Sequence, residues 1–255
     1  MEDYTNLDQL RNKLIIDEGS SESDIKARFN EIAHNLLNNF VIRKSKNLFY
    51  RILEVECYFF NDNHRDLITY QRSAQAGDWF FHFSGVDICF QSRCKLNDDY
   101  RISEYDRKST YFGGILIRSL EKIENSVPTY IMGKPQLCCD ELFDRFTAIP
   151  PKDISDFEFP FLEYKSLEQL VKIHSCGRYF NFEKGDEYKF SRILADNWAK
   201  DVCPGNQNQF TDFLDEKYRF YYDEGIERYE KWRKDTQNKQ TYTARPSQAY
   251  QRLKK

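Results

Sequence analysis

Long apolar runs are missing from this chain of 255 residues, and no stretch approaches the roughly 20 apolar residues that a membrane helix needs. A membrane partner is therefore not expected. Metal-type cysteine pairs are missing too. The seven cysteines, at 57, 89, 94, 138, 139, 176 and 203, are odd in number and contain no C-x-x-C pair. That spacing argues against a zinc site, and a disulfide framework is unexpected in so long a chain. Reduced thiols in an intracellular, cytoplasmic protein are the reading, and no charged-then-apolar leader opens the chain. Positive charge is not in excess either: 38 Lys and Arg stand against 41 Asp and Glu, a net charge of −3. Such a molecule is no polycation, so nucleic-acid binding would rest on local patches. A Gly-rich nucleotide loop, an H-E-x-x-H motif and a Ser-His-Asp pattern are all absent, and neither a metal nor a cofactor is expected.

What is present is aromatic. The chain holds 21 Phe and 17 Tyr against only 2 Met, which suggests a rigid interior with ring faces to spare for a planar ligand. Residues 1–20 are polar and read as a poorly packed N-terminus. From Ser21 to Asn38, Ile25, Phe29, Ile32, Ala33, Leu36 and Leu37 recur three and four apart, predicting a helix with a serine cap and Asp24 near its positive end. Phe40–Ile42 begins a strand and residues 43–47 read as its turn. A polar loop covers 61–76. Trp79–Phe83 and Val86–Gln91 read as strands around Ser84-Gly85, a dipeptide suited to a tight turn. Residues 93–110 read as a charged insertion, and 113–120 as a further strand. Pro135 opens a helix over about 136–147, with Lys134 beside a helix start that favours anions. Residues 149–160 read as a connector, 166–172 as a short helix, 176–182 as a strand and Arg219–Tyr222 as the last strand. The basic stretch 228–255 is a flexible tail, either an electrostatic arm or a solvated end.

The segment from Arg51 to Phe59 carries the chemistry. Strand alternation sends Leu53, Val55, Cys57 and Phe59 to one face, and Ile52, Glu54, Glu56 and Tyr58 to the other. Two carboxylates and a phenol then lie side by side. Neighbouring carboxylates disfavour joint ionisation when partly buried, so the fold must either solvate or use them.

The order of these pieces resembles the alkyladenine (methylpurine) DNA glycosylases. Ala33-His-Asn-Leu-Leu-Asn-Asn-Phe-Val-Ile42 is similar to that family's Ala-x-x-Leu-Leu-Gly-x-x-Leu-Val segment. Arg51 to Tyr58 is similar to its Arg-Ile-Val-Glu-Thr-Glu-Ala-Tyr strand, and Trp79 to Gln91 to its aromatic hairpin. Ile115-Leu-Ile-Arg-Ser-Leu-Glu121 resembles its Leu-Leu-Arg-Ala-Leu-Glu strand. Gly133-Lys-Pro-Gln-Leu137 resembles its Gly-Pro-x-x-Leu helix start, and Glu216 to Tyr221 its Lys-x-x-Arg-Phe-Tyr. The resemblance implies a single α+β domain over 21–227, with a curved, mixed, mainly antiparallel sheet and surrounding helices. It implies a nucleoid-associated monomer that binds duplex DNA, or single-stranded DNA, and flips a damaged purine into a pocket.

Carried over by position, Glu56 is the carboxylate that activates water and Arg118 holds water and phosphate. Tyr58 is one aromatic wall, and His64 falls near the family's pocket histidine. Three positions depart from the family. Phe81 stands for a second wall Tyr, Gln91 for a pocket-floor Asn, and Ser84 for the bulky Tyr that wedges into the duplex. A serine cannot wedge. His82 and Phe83 are the neighbours that could substitute, with Ser84, Gly85 and Lys134 on the DNA side. A lysine nucleophile has no marked candidate, so base release without strand cleavage is the expectation.

Overall fold

The computed structural model describes residues 4–144, 159–166, 171–178, 213 and 216–222. The basic tail 228–255, the boundary at 227 and most of the 149–160 connector lie outside these residues. The described chain is α+β, built on a ten-stranded sheet in which every pairing is antiparallel.

Residues 4–20 depart from the reading as poorly packed. Helix α1 (Leu7–Lys13) starts at Asn6, whose side chain accepts from the Gln9 amide, and Tyr4, Leu10, Leu14 and Ile16 are buried. Apolar side chains spaced along a polar stretch are enough to dock it. Helix α2 (Glu22–Asn39) follows the reading closely: Ser21 and Asp24 form a reciprocal capping box, and Ile25, Phe29, Ile32, Ala33 and Leu36 are buried. It packs on the sheet across β1 (Phe40–Ser45) and β2 (Leu48–Asn61). β2 runs the length of the domain. One edge pairs with β8 (Phe112–Glu124), and the other pairs in turn with β1, β12 (Arg219–Tyr222) and β3 (His64–Arg65). Beyond β8 come β5 (Gly85–Cys89) and the edge strand β4 (Trp79–His82). β9 (Val127–Met132) extends β8, β10 (Phe161–Tyr164) extends β1, and β11 (Ile173–Cys176) extends β12. The insertion 93–110 carries its own small hairpin, β6 (Lys95–Leu96) with β7 (Ile102–Glu104). Helix α3 (Pro135–Leu142) begins at the expected proline.

The pairing of β2 with β8 slips twice in opposite senses. Ile52 faces Leu120 and Glu54 faces Ser119, so Leu53 is an extra residue on β2; Val55 then faces Ile117, so Arg118 is the extra residue on β8. The slips exchange the expected faces near the start of the strand. Ile52 joins Val55, Cys57 and Phe59 in the main core, whereas Leu53 packs with Ile131 and Tyr222 in a separate cluster. Bulges bend a strand and re-aim side chains. Here they aim Arg118 at the two glutamates.

Candidate active site

Glu54, Glu56 and Tyr58 share the face of β2 turned away from the main core. Register places Gly114 beside Tyr58 and Leu116 beside Glu56 on β8, then Asp87 beside Leu116 on β5, then Phe80 beside Asp87 on β4. From the other edge, β12 sets Arg219 opposite Glu56.

Glu56 is fully buried. The Tyr58 hydroxyl donates to its Oε1, and Arg118 Nη1 lies 2.7 Å from its Oε2. That ion pair is close but poorly aligned, so Oε2 accepts no well-formed hydrogen bond among the described residues. Glu54 stands between two arginines, with Arg118 Nε 3.6 Å from Oε1 and Arg219 Nε bonded to the same oxygen. The charges thus alternate as Arg219, Glu54, Arg118, Glu56, which removes the repulsion expected of neighbouring carboxylates. A buried ion pair earns little net stability, but loss of one partner is costly, typically about 3–5 kcal/mol. Burial and then the Glu56 charge push the Tyr58 phenol well above its ordinary value, so the hydroxyl stays a proton donor.

Behind Tyr58 lies Arg178, its guanidinium carbon 5.0 Å from the Tyr58 ring centroid and 5.1 Å from that of Tyr218. Asp66 holds it by two bonds of 2.6 and 3.0 Å. A second buried set lies across the face. Arg72 Nη2 is 2.7 Å from Asp87 Oδ2, and His82 Nε2 is 2.9 Å from Asp87 Oδ1. Burial alone would raise the Asp87 carboxyl, but Arg72 and His82 outweigh it and hold it below its ordinary value. Ser84 N donates to His82 Nδ1, which leaves the His82 proton on Nε2, facing Asp87. Gly114 makes room for this set: a Cβ there would strike Arg72 Nη1 and come within 2.9 Å of Asp87 Oδ2.

The structure therefore brings Glu56, Tyr58 and Arg118 together, with His82 on the same face. Others it places elsewhere. Phe81 pairs with Val86, points to the core side, packs on Phe143 at 4.6 Å and is 47% exposed. The ring on the Glu56 face is Phe80, with the Arg72 guanidinium 4.0 Å from its centroid. His64 is a core residue. Its Nδ1 lies 2.7 Å from the Phe59 carbonyl and its Nε2 2.9 Å from the Tyr218 hydroxyl, so both nitrogens are engaged. Burial lowers its pKa. Through Tyr218 it props Arg178. Gln91 spends its side chain on the 74–76 loop, accepting from the Ala76 amide and donating to the Ala74 carbonyl. The hairpin turn falls on Phe83 and Ser84, one residue earlier than expected, and Gly85 opens β5 with φ +150° and leans on α3: a Cβ on Gly85 would lie 2.9 Å from Pro135 Cβ. Exposed Lys134 caps the same helix end, so Ser84, Gly85 and Lys134 meet on one edge. Beside them Phe83 is 87% exposed.

Arg72, Asp87 and Asp66 are the residues that pattern reading missed, while Arg178 and Arg219, which the sequence offers as cations able to extend a groove, are instead buried beside Asp66 and Glu54. Asp87 carried a signal, since a charge between Val86 and Ile88 in a strand must face something polar. The turn at Phe83–Ser84 also fixes the partner of Asp87 as Phe80. Comparison with protein-family models, with curated proteins and with solved structures finds no match for this chain.

Proposed function

We propose that this protein is a monofunctional DNA glycosylase-like hydrolase that cuts the N-glycosidic bond of a modified purine. One observation carries the reading. A fully buried carboxylate has one oxygen fixed by a phenol and the other beside an arginine, without an aligned hydrogen bond. That oxygen is suited to take a proton from water. The glycosidic bond breaks with its electron pair moving to the base, the sugar carbon gains positive character, and water adds there as Glu56 takes the proton. The carboxylate also stabilises that positive carbon. Arg118, re-aimed by its bulge, orients the carboxylate and is free to hold water or phosphate with its remaining donors. Tyr58 supplies the stacking surface, typically worth about 1–3 kcal/mol per base. The exposed ring of Phe83, beside Ser84 at the hairpin tip, supports a role in filling the space left by the flipped base.

Oligonucleotides carrying hypoxanthine, 3-methyladenine or ethenoadenine test this. The expected result is free base and an abasic strand from at least one of them, with loss of product in Glu56→Gln. Release by the mutant at the wild-type rate would remove Glu56 from the mechanism.

The docking of Gly85, next to the hairpin turn, on Pro135 favours one second reading, a hydrolase of free nucleosides, because a hairpin held against α3 reaches less far into a duplex. Turnover of inosine without release from any oligonucleotide would select it.

A further inference from the structure

The guanidinium behind Tyr58 bears on which bases the Glu56 face accepts. We propose that the site discriminates in favour of neutral purines and against positively charged, alkylated ones. This rests on the reading of the face as a base-binding hydrolytic site.

Arg178 cannot swing away. It is 2% exposed, clamped between the rings of Tyr58 and Tyr218, bonded twice to Asp66, and it donates to the Phe213 carbonyl from Nε at 3.1 Å and Nη2 at 2.6 Å. Tyr218 is itself fixed by His64 at 2.9 Å. An aromatic ring attracts cations to its faces through its quadrupole. One face of Tyr58 is already spent on a permanent cation, so a charged base stacked on the other face meets a polarised ring and like charge behind it. Asp66 bonds to the terminal nitrogens of the guanidinium, which leaves the positive carbon over the ring.

The other charges near the ring do not restore an attraction for cations. Glu56 is matched by Arg118 at 2.7 Å, and Asp87 by Arg72 at 2.7 Å, with the Arg72 guanidinium resting on Gly114 beside Tyr58. Glu54, Glu56, Asp66 and Asp87 each lie against an arginine.

The chemistry points the same way. A charged alkylpurine leaves as a neutral molecule and needs no charge stabilisation. A neutral purine takes the bonding electron pair with it and develops negative charge. Fixed positive charge behind the stacking ring stabilises that developing charge, and it acts without reorganisation because it is already in place.

The test is competitive binding of two nucleosides to the full chain: ethenoadenosine, neutral and fluorescent, and 1-methyladenosine, charged at neutral pH. Wild type is expected to prefer the neutral nucleoside by about tenfold, a modest electrostatic difference. The double variant Asp66→Asn/Arg178→Met, which removes both charges and keeps their volume, is expected to bring the ratio close to one. Tyr58→Leu, which removes the ring without touching the ion pair, serves if the double variant fails to fold, and the preference should vanish there too. Equal or tighter binding of the charged nucleoside by wild type, an unchanged ratio in a folded variant, or binding of neither nucleoside would overturn the proposal. A preserved neutral preference without base release from any oligonucleotide would defeat the glycosylase reading alone.

Discussion

At the scale of residues, the Glu56–Tyr58 contact decides what each group can do. The phenol is held protonated by burial and by the neighbouring carboxylate, so it donates to Glu56 and cannot serve as the nucleophile. Its hydroxyl positions the carboxylate while its ring faces a ligand. Tyr58→Phe separates these roles. Stacking survives, so KM should change less than about twofold, whereas kcat should fall by about tenfold as the carboxylate loses its fixed orientation. Steady-state kinetics on the best oligonucleotide checks this, and an unchanged kcat would show that the hydroxyl does not position Glu56. Strand alternation alone singles out Glu54, Glu56 and Tyr58, because two carboxylates and a phenol on one strand face demand an explanation, whereas Arg118 enters only through the family resemblance. The resemblance also points to His64 and Gln91, which the fold uses elsewhere. A polar side chain reads the same whether it faces a ligand or closes a loop, and in the fold both spend their hydrogen bonds on the backbone and Tyr218.

At the scale of elements, periodicity was legible where one face is buried. α2, with its serine cap, and the long β2 follow from the spacing of apolar residues and from the Ser21/Asp24 pair. β9 was missed because Pro128 lies inside it, and β10 because it follows directly on a proline-rich connector. The two offset slips around Leu53 and Arg118 were invisible, since alternation assumes an unbroken ladder. A single slip moves every later side chain to the other face. Two opposite slips preserve both cores and turn out one arginine. Phe81 illustrates the same rule from the other side: the turn falls on Phe83–Ser84, one residue earlier than the Ser84-Gly85 dipeptide suggested, and counting outward from it pairs Phe81 with Val86 and gives Phe80 to the Glu56 face. Gly114 is where element packing and site meet. Gly114→Ala would push Arg72 off Asp87, leaving charges buried without partners. A loss of about 1–3 kcal/mol is expected, the range for overpacking a tight core. Chemical denaturation measures it, and an unchanged midpoint would mean that Arg72 has room to move.

At the scale of the whole molecule, one antiparallel sheet among the described residues holds an apolar core on one face and a network of paired charges on the other. None of the described helices is long and apolar enough to cross a membrane. Stability should be sensitive to acid for two reasons. Burial lowers the His64 pKa, so below about pH 6.5 the unfolded chain binds a proton that the native state refuses, and stability falls with slope up to about 1.4 kcal/mol per pH unit. His34 is shifted the same way by burial. Asp87 is held below its ordinary value, so its contribution is complete above about pH 4 and is lost as pH falls through its lower native value. The melting temperature should therefore drop in two stages on acidification. His64→Gln should shallow the first stage, and a flat profile between pH 7 and pH 5 would contradict the assignment. The central claim, however, concerns a buried carboxylate that activates water. Its most direct test is single-turnover release of hypoxanthine from an oligonucleotide by wild type and by Glu56→Gln of matched melting temperature. At least about a hundredfold loss of rate is expected, the lower range for a positioned base; equal rates in the two proteins would contradict the account.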